Sequence, residues 1–83
     1  MAELQTFHLV IASVGEARFD GAAVSATIPT TSGELTILAH HEPLVTPLKT
    51  GEITVRETGG ESKKFLIEGG VLEVSDNRAV VLL

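Results

Sequence analysis

The sequence predicts an all-β fold, a flattened β-sandwich of about eight to ten short strands, and three observations carry that expectation. Short apolar runs are interrupted by turn residues at intervals of roughly eight to twelve positions. Within the runs apolar and polar residues alternate with a period of two. In "AAVSATIP", Val24, Ala26 and Ile28 fall on one side and Ala23, Ser25 and Thr27 on the other. Helical spacing is hard to find, and the many β-branched residues and glycines disfavour a long helix.

Taken in order, "TFHLVIAS" is the first strand, with Phe7, Leu9 and Ile11 on one face and His8, Val10 and Ala12 on the other. "VGEARFDG" holds Gly15 and the Asp20-Gly21 pair, both turn-prone. Pro29 cannot donate to a ladder, so it is expected to end the "AAVSATIP" strand or mark an edge. "TTSGE" reads as a turn, "ELTIL" as a short strand, "AHHEP" as a break, and "PLVTPL" as an extended stretch bracketed by Pro43 and Pro47. "TGEITVRE" sets Ile53 and Val55 against Thr54 and Arg56. "TGGES" is a hairpin loop in which Gly59 and Gly60 supply positive φ at little cost. "KKFLIE" returns. The glycine pair at 69–70 interrupts what would otherwise be one long strand, which predicts a bulge or a sharp change of sheet. "SDNR" is the last tight turn before "AVVLL".

The 83 residues allow one domain, taken as 1–83. With no cysteine, neither a disulfide nor a thiolate metal site is available. The net charge is −5, and the longest basic run is Lys63-Lys64. A nucleic-acid surface needs a basic stripe, often with stacking aromatics, and here there are three Phe and no Tyr or Trp, so nucleic acid is not an expected partner. No apolar run reaches the roughly 18 residues that span a bilayer. The start has neither a basic n-region nor a long apolar h-region, so no secretory signal is read there.

His40, His41 and Glu42 stand together in an otherwise apolar passage. Neighbouring residues of a strand point to opposite faces, so one histidine and Glu42 at best converge. The helical HExxH arrangement that gives zinc two histidines is missing, and His8 is far along the chain. A polar loop tip facing solvent or a partner is the favoured reading. No G-x-S-x-G motif is present, and the glycine pairs lie between strands and not before a helix, so neither a nucleophile elbow nor a phosphate loop is expected. One feature points outward. The chain is 43% hydrophobic, yet "FHLVIAS", "AVVLL" and "PLVTPL" carry apolar residues on both faces, which suggests that a partner covers part of the outer surface.

The order of these signals resembles the N-terminal β-sandwich domain of the epsilon subunit of bacterial F-type ATP synthases, the counterpart of the mitochondrial delta subunit. "FHLVIAS", "FDG", "SGELTIL", "HEPL", "LKTGEITV", "FLIEGGVLEV" and "NRAVVLL" carry the match over essentially the whole chain. The resemblance implies a non-catalytic rotor component of the central stalk, with no cofactor. One face would pack on the gamma subunit and the lower loops on the c ring, coupling ion flow through the ring to ATP synthesis. It would touch the membrane only indirectly, as a peripheral part of the complex at the cytoplasmic face of the bacterial inner membrane. By position, Glu34 and His41, with His40 and Glu42, match the family's contact loop for the c ring and gamma.

Ala39-His40 stands where the family commonly has Pro-Gly, and Glu68 where it has serine before the double glycine. Family members continue past "VLL" into a helical hairpin, so neither ATP binding nor hairpin-type inhibition is expected of this polypeptide. The alternative is a stand-alone β-sandwich module binding a protein or small ligand, and an enzyme built on His40, His41 and Glu42 ranks last.

Overall fold

In the computed structural model, which describes residues 5–83, nine strands and no helix are found. Residues 1–4 of the expected 1–83 domain lie outside the described residues. The strands are β1 Phe7–Ser13, β2 Glu16–Ala23, β3 Ser25–Thr30, β4 Gly33–Leu38, β5 Leu44–Leu48, β6 Gly51–Arg56, β7 Ser62–Ile67, β8 Gly70–Ser75 and β9 Arg78–Leu82.

The hydrogen-bonded path runs β2-β1-β9-β8-β5-β3-β6-β7, with β4 attached to β3. It folds over on itself into two layers. The first is β2-β1-β9-β8-β5 and the second β4-β3-β6-β7. Alternation places one set of side chains between them: Phe7, Leu9, Ile11, Leu72, Val74, Ala79 and Val81 from the first, and Ala26, Ile28, Ile37, Ile53, Val55 and Ile67 from the second, all buried in a single cluster. β1 and β9 pair in parallel, His8 opposite Arg78 and Val10 opposite Val80, while the other ladders are antiparallel.

Leu48 pairs with Gly70 and Gly51 with Ile67, so β5–β6 and β7–β8 form one long hairpin that bends from the first layer into the second. The bend lies at Lys49-Thr50 on one arm and Glu68-Gly69 on the other, and the Thr50 hydroxyl donates to the Glu68 carbonyl at 3.2 Å. The change of sheet expected at the glycine pair is therefore present. Gly69 and Gly70 have φ of 149° and 140°, and a Cβ on Gly70 would sit 2.4 Å from the Leu82 carbonyl oxygen.

Three expectations are corrected. "AAVSATIP" is not one strand: Ala23 ends β2 and Val24 is a half-buried bend before β3, so Ala23 is buried with Ala26 and Ile28 and not opposite them. Asp20 and Gly21 do not turn the chain. They lie within β2, opposite Val10 and Leu9, and the turn comes earlier, at Val14-Gly15. Pro29 neither ends β3 nor sits on an edge, since β3 continues to Thr30 with neighbours on both sides. The position tolerates proline because pairing with β6 runs only from Ser25 to Thr27, and pairing with β5 begins at Thr30. No ladder asks for an N–H at residue 29, while its carbonyl accepts the Lys49 N–H at 3.1 Å.

On the side of β2 and β7 the layers meet through side chains. The Phe19 and Phe65 rings pack edge to face with centroids 6.0 Å apart, and the Lys63 ammonium lies 5.5 Å from the Phe19 centroid.

Candidate interaction surface

The four residues expected to form one contact loop occupy two places. Glu34 is not on a loop. It is the second residue of β4, exposed, opposite Pro29 and next to the tight turn at Thr31-Ser32. His40, His41 and Glu42 lie beyond the far end of the same strand. Four strand steps from Glu34 to Leu38 already span about 13 Å. The turn at Thr31-Ser32 is fixed by the Thr30 hydroxyl, which donates to the Gly33 carbonyl at 2.6 Å and accepts the Ser32 N–H at 3.1 Å.

The histidine loop is held from outside itself. His40 takes a left-handed backbone, φ 62°, and the His41 N–H closes the turn onto the Leu38 carbonyl at 3.2 Å. The His40 N–H donates to the Asn77 side-chain oxygen at 2.7 Å, and the Asn77 side-chain amide donates to the Thr6 carbonyl at 2.9 Å. The Asn77 backbone carbonyl accepts the His8 N–H at 3.2 Å. One turn residue thus ties together the β4–β5 loop, the start of β1 and the β8–β9 turn. Asp76 and Asn77, with φ of 49° and 58°, are suited to that strained turn by their short polar side chains.

His40 and Glu42 are exposed and His41 half-buried, its Nδ1 2.7 Å from the Glu42 carbonyl. Among the described residues, no three His, Cys, Asp or Glu side chains gather as a metal ion would require. His8 pairs instead with Asp20, Nε2 to Oδ1 2.5 Å, on the outer face of β1 and β2.

The two outer faces differ in chemistry. On the first layer, Val10 and Ala12 of β1, Val80 and Leu82 of β9, Val71 of β8 and Val45 of β5 point outward from adjacent strands, with Val45 69% and Leu82 57% exposed. Val80, Glu73 and Val45 form one row across β9, β8 and β5, and Leu82, Val71 and Pro47 the next. On the second layer most outward positions are polar, Glu34, Thr36, Thr27, Thr54, Arg56, Glu52 and Lys64, with a Thr27–Thr36 hydroxyl contact at 3.2 Å and Lys64 4.0 Å from Glu52, while Leu38 on β4 and Leu66 on β7 stand exposed at its two margins. An exposed sheet face is ordinarily polar. The second layer is polar at its centre, with single leucines on its two edge strands, whereas the first carries adjoining apolar side chains on four neighbouring strands around Glu73, with His8 and Arg78 at one end. The sequence signalled an apolar outer face through its two-faced strands, but not Asn77, whose role needs segments more than 30 residues apart to be brought together, as with His40, 37 positions away.

Among the described residues no helix is long and apolar enough to cross a membrane.

Residues 6–83 match the β-sandwich domain family of the ATP synthase delta/epsilon chain. The chain is 34% identical over 79 residues to an ATP synthase epsilon chain of Alkalilimnicola ehrlichii, covering 95% of this chain and 56% of that one. It is 41% identical over 66 residues to an ATP synthase epsilon chain of Latilactobacillus sakei, covering 77% and 46%. It thus spans about half the length of the curated relatives it matches. Among solved structures it resembles a chain of the Euglena gracilis mitochondrial ATP synthase OSCP/F1/c-ring assembly, with a TM-score of 0.87 and 28% identity over 93% of this chain and 49% of that one. A chain of the Tetrahymena thermophila mitochondrial ATP synthase central stalk and c ring shares the fold, with a TM-score of 0.76 and 23% identity over 98% and 65%.

Proposed function

Because the chain belongs to the β-sandwich domain family of the ATP synthase delta/epsilon chain, we propose that it is a non-catalytic central-stalk component of an F-type ATP synthase. In this reading it binds the gamma subunit and the c ring and helps carry ion-driven rotation into ATP synthesis. It sits at the membrane surface as a peripheral part of the complex, on the cytoplasmic face of a bacterial inner membrane.

The observation that carries the reading is the apolar outer face of the first layer. Val45, Val71 and Leu82 are 69%, 43% and 57% exposed on the adjacent strands β5, β8 and β9, and Val10 of β1 and Val80 of β9, paired with one another, extend the face. Exposed together they form a patch of the kind that marks a protein–protein contact, and a flat sheet face suits a rigid partner better than a small ligand. The proposed division of labour follows from placement. The gamma subunit covers the apolar face, while Glu34 at one end of the sandwich and the His40–Glu42 loop at the other meet neighbouring loops of the ring or gamma. The half-buried His41 ring, anchored on the Glu42 carbonyl, is suited to a defined contact.

Binding of the chain to gamma-containing central stalk depleted of its own epsilon tests this. Val80→Lys, a change on the outer face away from the core cluster, is expected to weaken binding at least about tenfold, equivalent to about 1.4 kcal/mol, with an unchanged melting temperature. Unaltered affinity would remove gamma from that face. Failure of the wild-type chain to bind at all would favour a stand-alone β-sandwich module.

A further inference from the structure

The fold leaves four strand edges without a full ladder: β2, β7, β4 and most of β5. Sheet edges invite pairing with other chains, and proteins guard them with charges, prolines and bulges. Three of the four carry such guards. β7 presents Lys63 and Lys64, β2 presents Glu16, Arg18 and Asp20 beside a register shift opposite Ile11 and Ala12, and β5 is preceded by Pro43 and contains Pro47. β4 reads Gly33, Glu34, Leu35, Thr36, Ile37, Leu38, with a single charge, no proline and no bulge.

The free backbone groups of β4 face away from β3. The Pro29 carbonyl bonds to Lys49 on the β5 side of β3, so by strand alternation Ala26, Ile28 and Thr30 turn their backbone groups toward β4. Their partners Ile37, Leu35 and Gly33 complete that ladder. Glu34, Thr36 and Leu38 therefore point their amides outward, and of these the Leu38 carbonyl is taken by the His41 N–H.

We propose that this edge takes up an extended segment of the partner that covers the apolar face, as an added strand paired to Glu34 and Thr36 by main-chain hydrogen bonds; the proposal rests on the stalk reading above. Only a strand matches such a row of donors and acceptors. The place is continuous with the apolar face. β5, which bears the exposed Val45, is the margin of the first layer, and the chain passes from β4 through residues 39–43 into β5 on the same side of the sandwich. The other side is closed by the Phe19–Phe65 contact. Charge selects the occupant. Two copies of this chain, each of net charge −5, repel, whereas a segment with a lysine or arginine opposite Glu34 is attracted.

Residue-resolved amide exchange by NMR, on the isotopically labelled chain alone and bound to the gamma subunit, tests this. The Glu34 and Thr36 amides should exchange freely in the isolated chain and at least about tenfold more slowly in the complex, while the amides of the guarded edge of β7 change little. Unchanged exchange at Glu34 and Thr36 in a complex that has formed would overturn strand addition and leave the apolar-face contact standing. Absence of any complex would overturn both. Slowed exchange in the isolated chain, rising with its own concentration, would assign the edge to a second copy and overturn the proposed occupant. Thr36→Pro removes one outward N–H and no ladder bond. It is expected to lose at least about tenfold in affinity, and the exchange comparison on the unaltered chain decides the matter if that variant does not fold.

Discussion

At the scale of single residues, Asn77 does more than its place in a two-residue turn suggests. It holds a positive φ, accepts the His40 N–H and donates to the Thr6 carbonyl. Removing both side-chain bonds and leaving a Cβ in left-handed backbone gives Asn77→Ala an expected cost of about 2–3 kcal/mol in urea unfolding. Asn77→Gly, which loses the same bonds but relieves the backbone, should be the milder change. If the two variants are equally stable, the left-handed conformation contributes nothing. None of this was legible in the sequence, where "SDNR" announces only a turn, because the partners His40 and Thr6 are 37 and 71 positions away. The grouping of Glu34 with His40, His41 and Glu42 in one loop rests on the family resemblance, and the backbone separates them, because a six-residue strand carries Glu34 and the histidines to opposite ends of the layer.

At the scale of elements, the period-two pattern holds within single strands and fails at Ala23-Val24, where a bend between β2 and β3 buries Ala23 in place of Val24. Phe7, Leu9 and Ile11 all lie inward, as do Ile53 and Val55. Turn chemistry was less dependable. Asp20-Gly21 has the residues of a turn but sits inside a strand, since β2 must continue to pair with Val10 and Leu9. Pro29 has the residue of a strand end but sits where β3 exchanges one neighbour for another. The glycine pair was legible because its interruption of "KKFLIEGGVLEV" has no other economical explanation than a bend. The bend depends on Gly70 more than on Gly69. A Cβ at Gly70 would lie 2.4 Å from the Leu82 carbonyl oxygen, against 3.7 Å from the Leu48 oxygen at Gly69. Both have positive φ, so both alanine variants are strained, but Gly70→Ala must also push β9 away from β8. Gly70→Ala is expected to lower the melting temperature by more than Gly69→Ala, and the reverse order in a thermal scan would mean that β9 yields freely at its end.

At the scale of the whole molecule, a single core cluster supports the nine-stranded sandwich, one face of which carries an apolar patch. Domains of this size are marginal, with a stability of about 5–15 kcal/mol at most. Ile53 is fully buried between the layers, so Ile53→Ala should cost about 2–5 kcal/mol and consume much of that margin. A partner that binds only the folded chain adds stability by mass action, about 2.7 kcal/mol when present at a hundred times its dissociation constant. The two effects oppose one another across different surfaces. Ile53 lies in the interior, and the proposed contact lies on the outer face and the β4 edge. The isolated Ile53→Ala chain should therefore unfold at markedly lower denaturant than wild type, while saturating gamma subunit restores most of the loss without repairing the cavity. Val80→Lys, stable by itself, should gain little from the same addition. If gamma stabilises both variants equally, the apolar face is not where it binds. If it rescues neither, while the wild-type chain is stabilised, the cavity at Ile53 has spread to the binding surface and the two layers are more tightly coupled than their separate outer faces indicate.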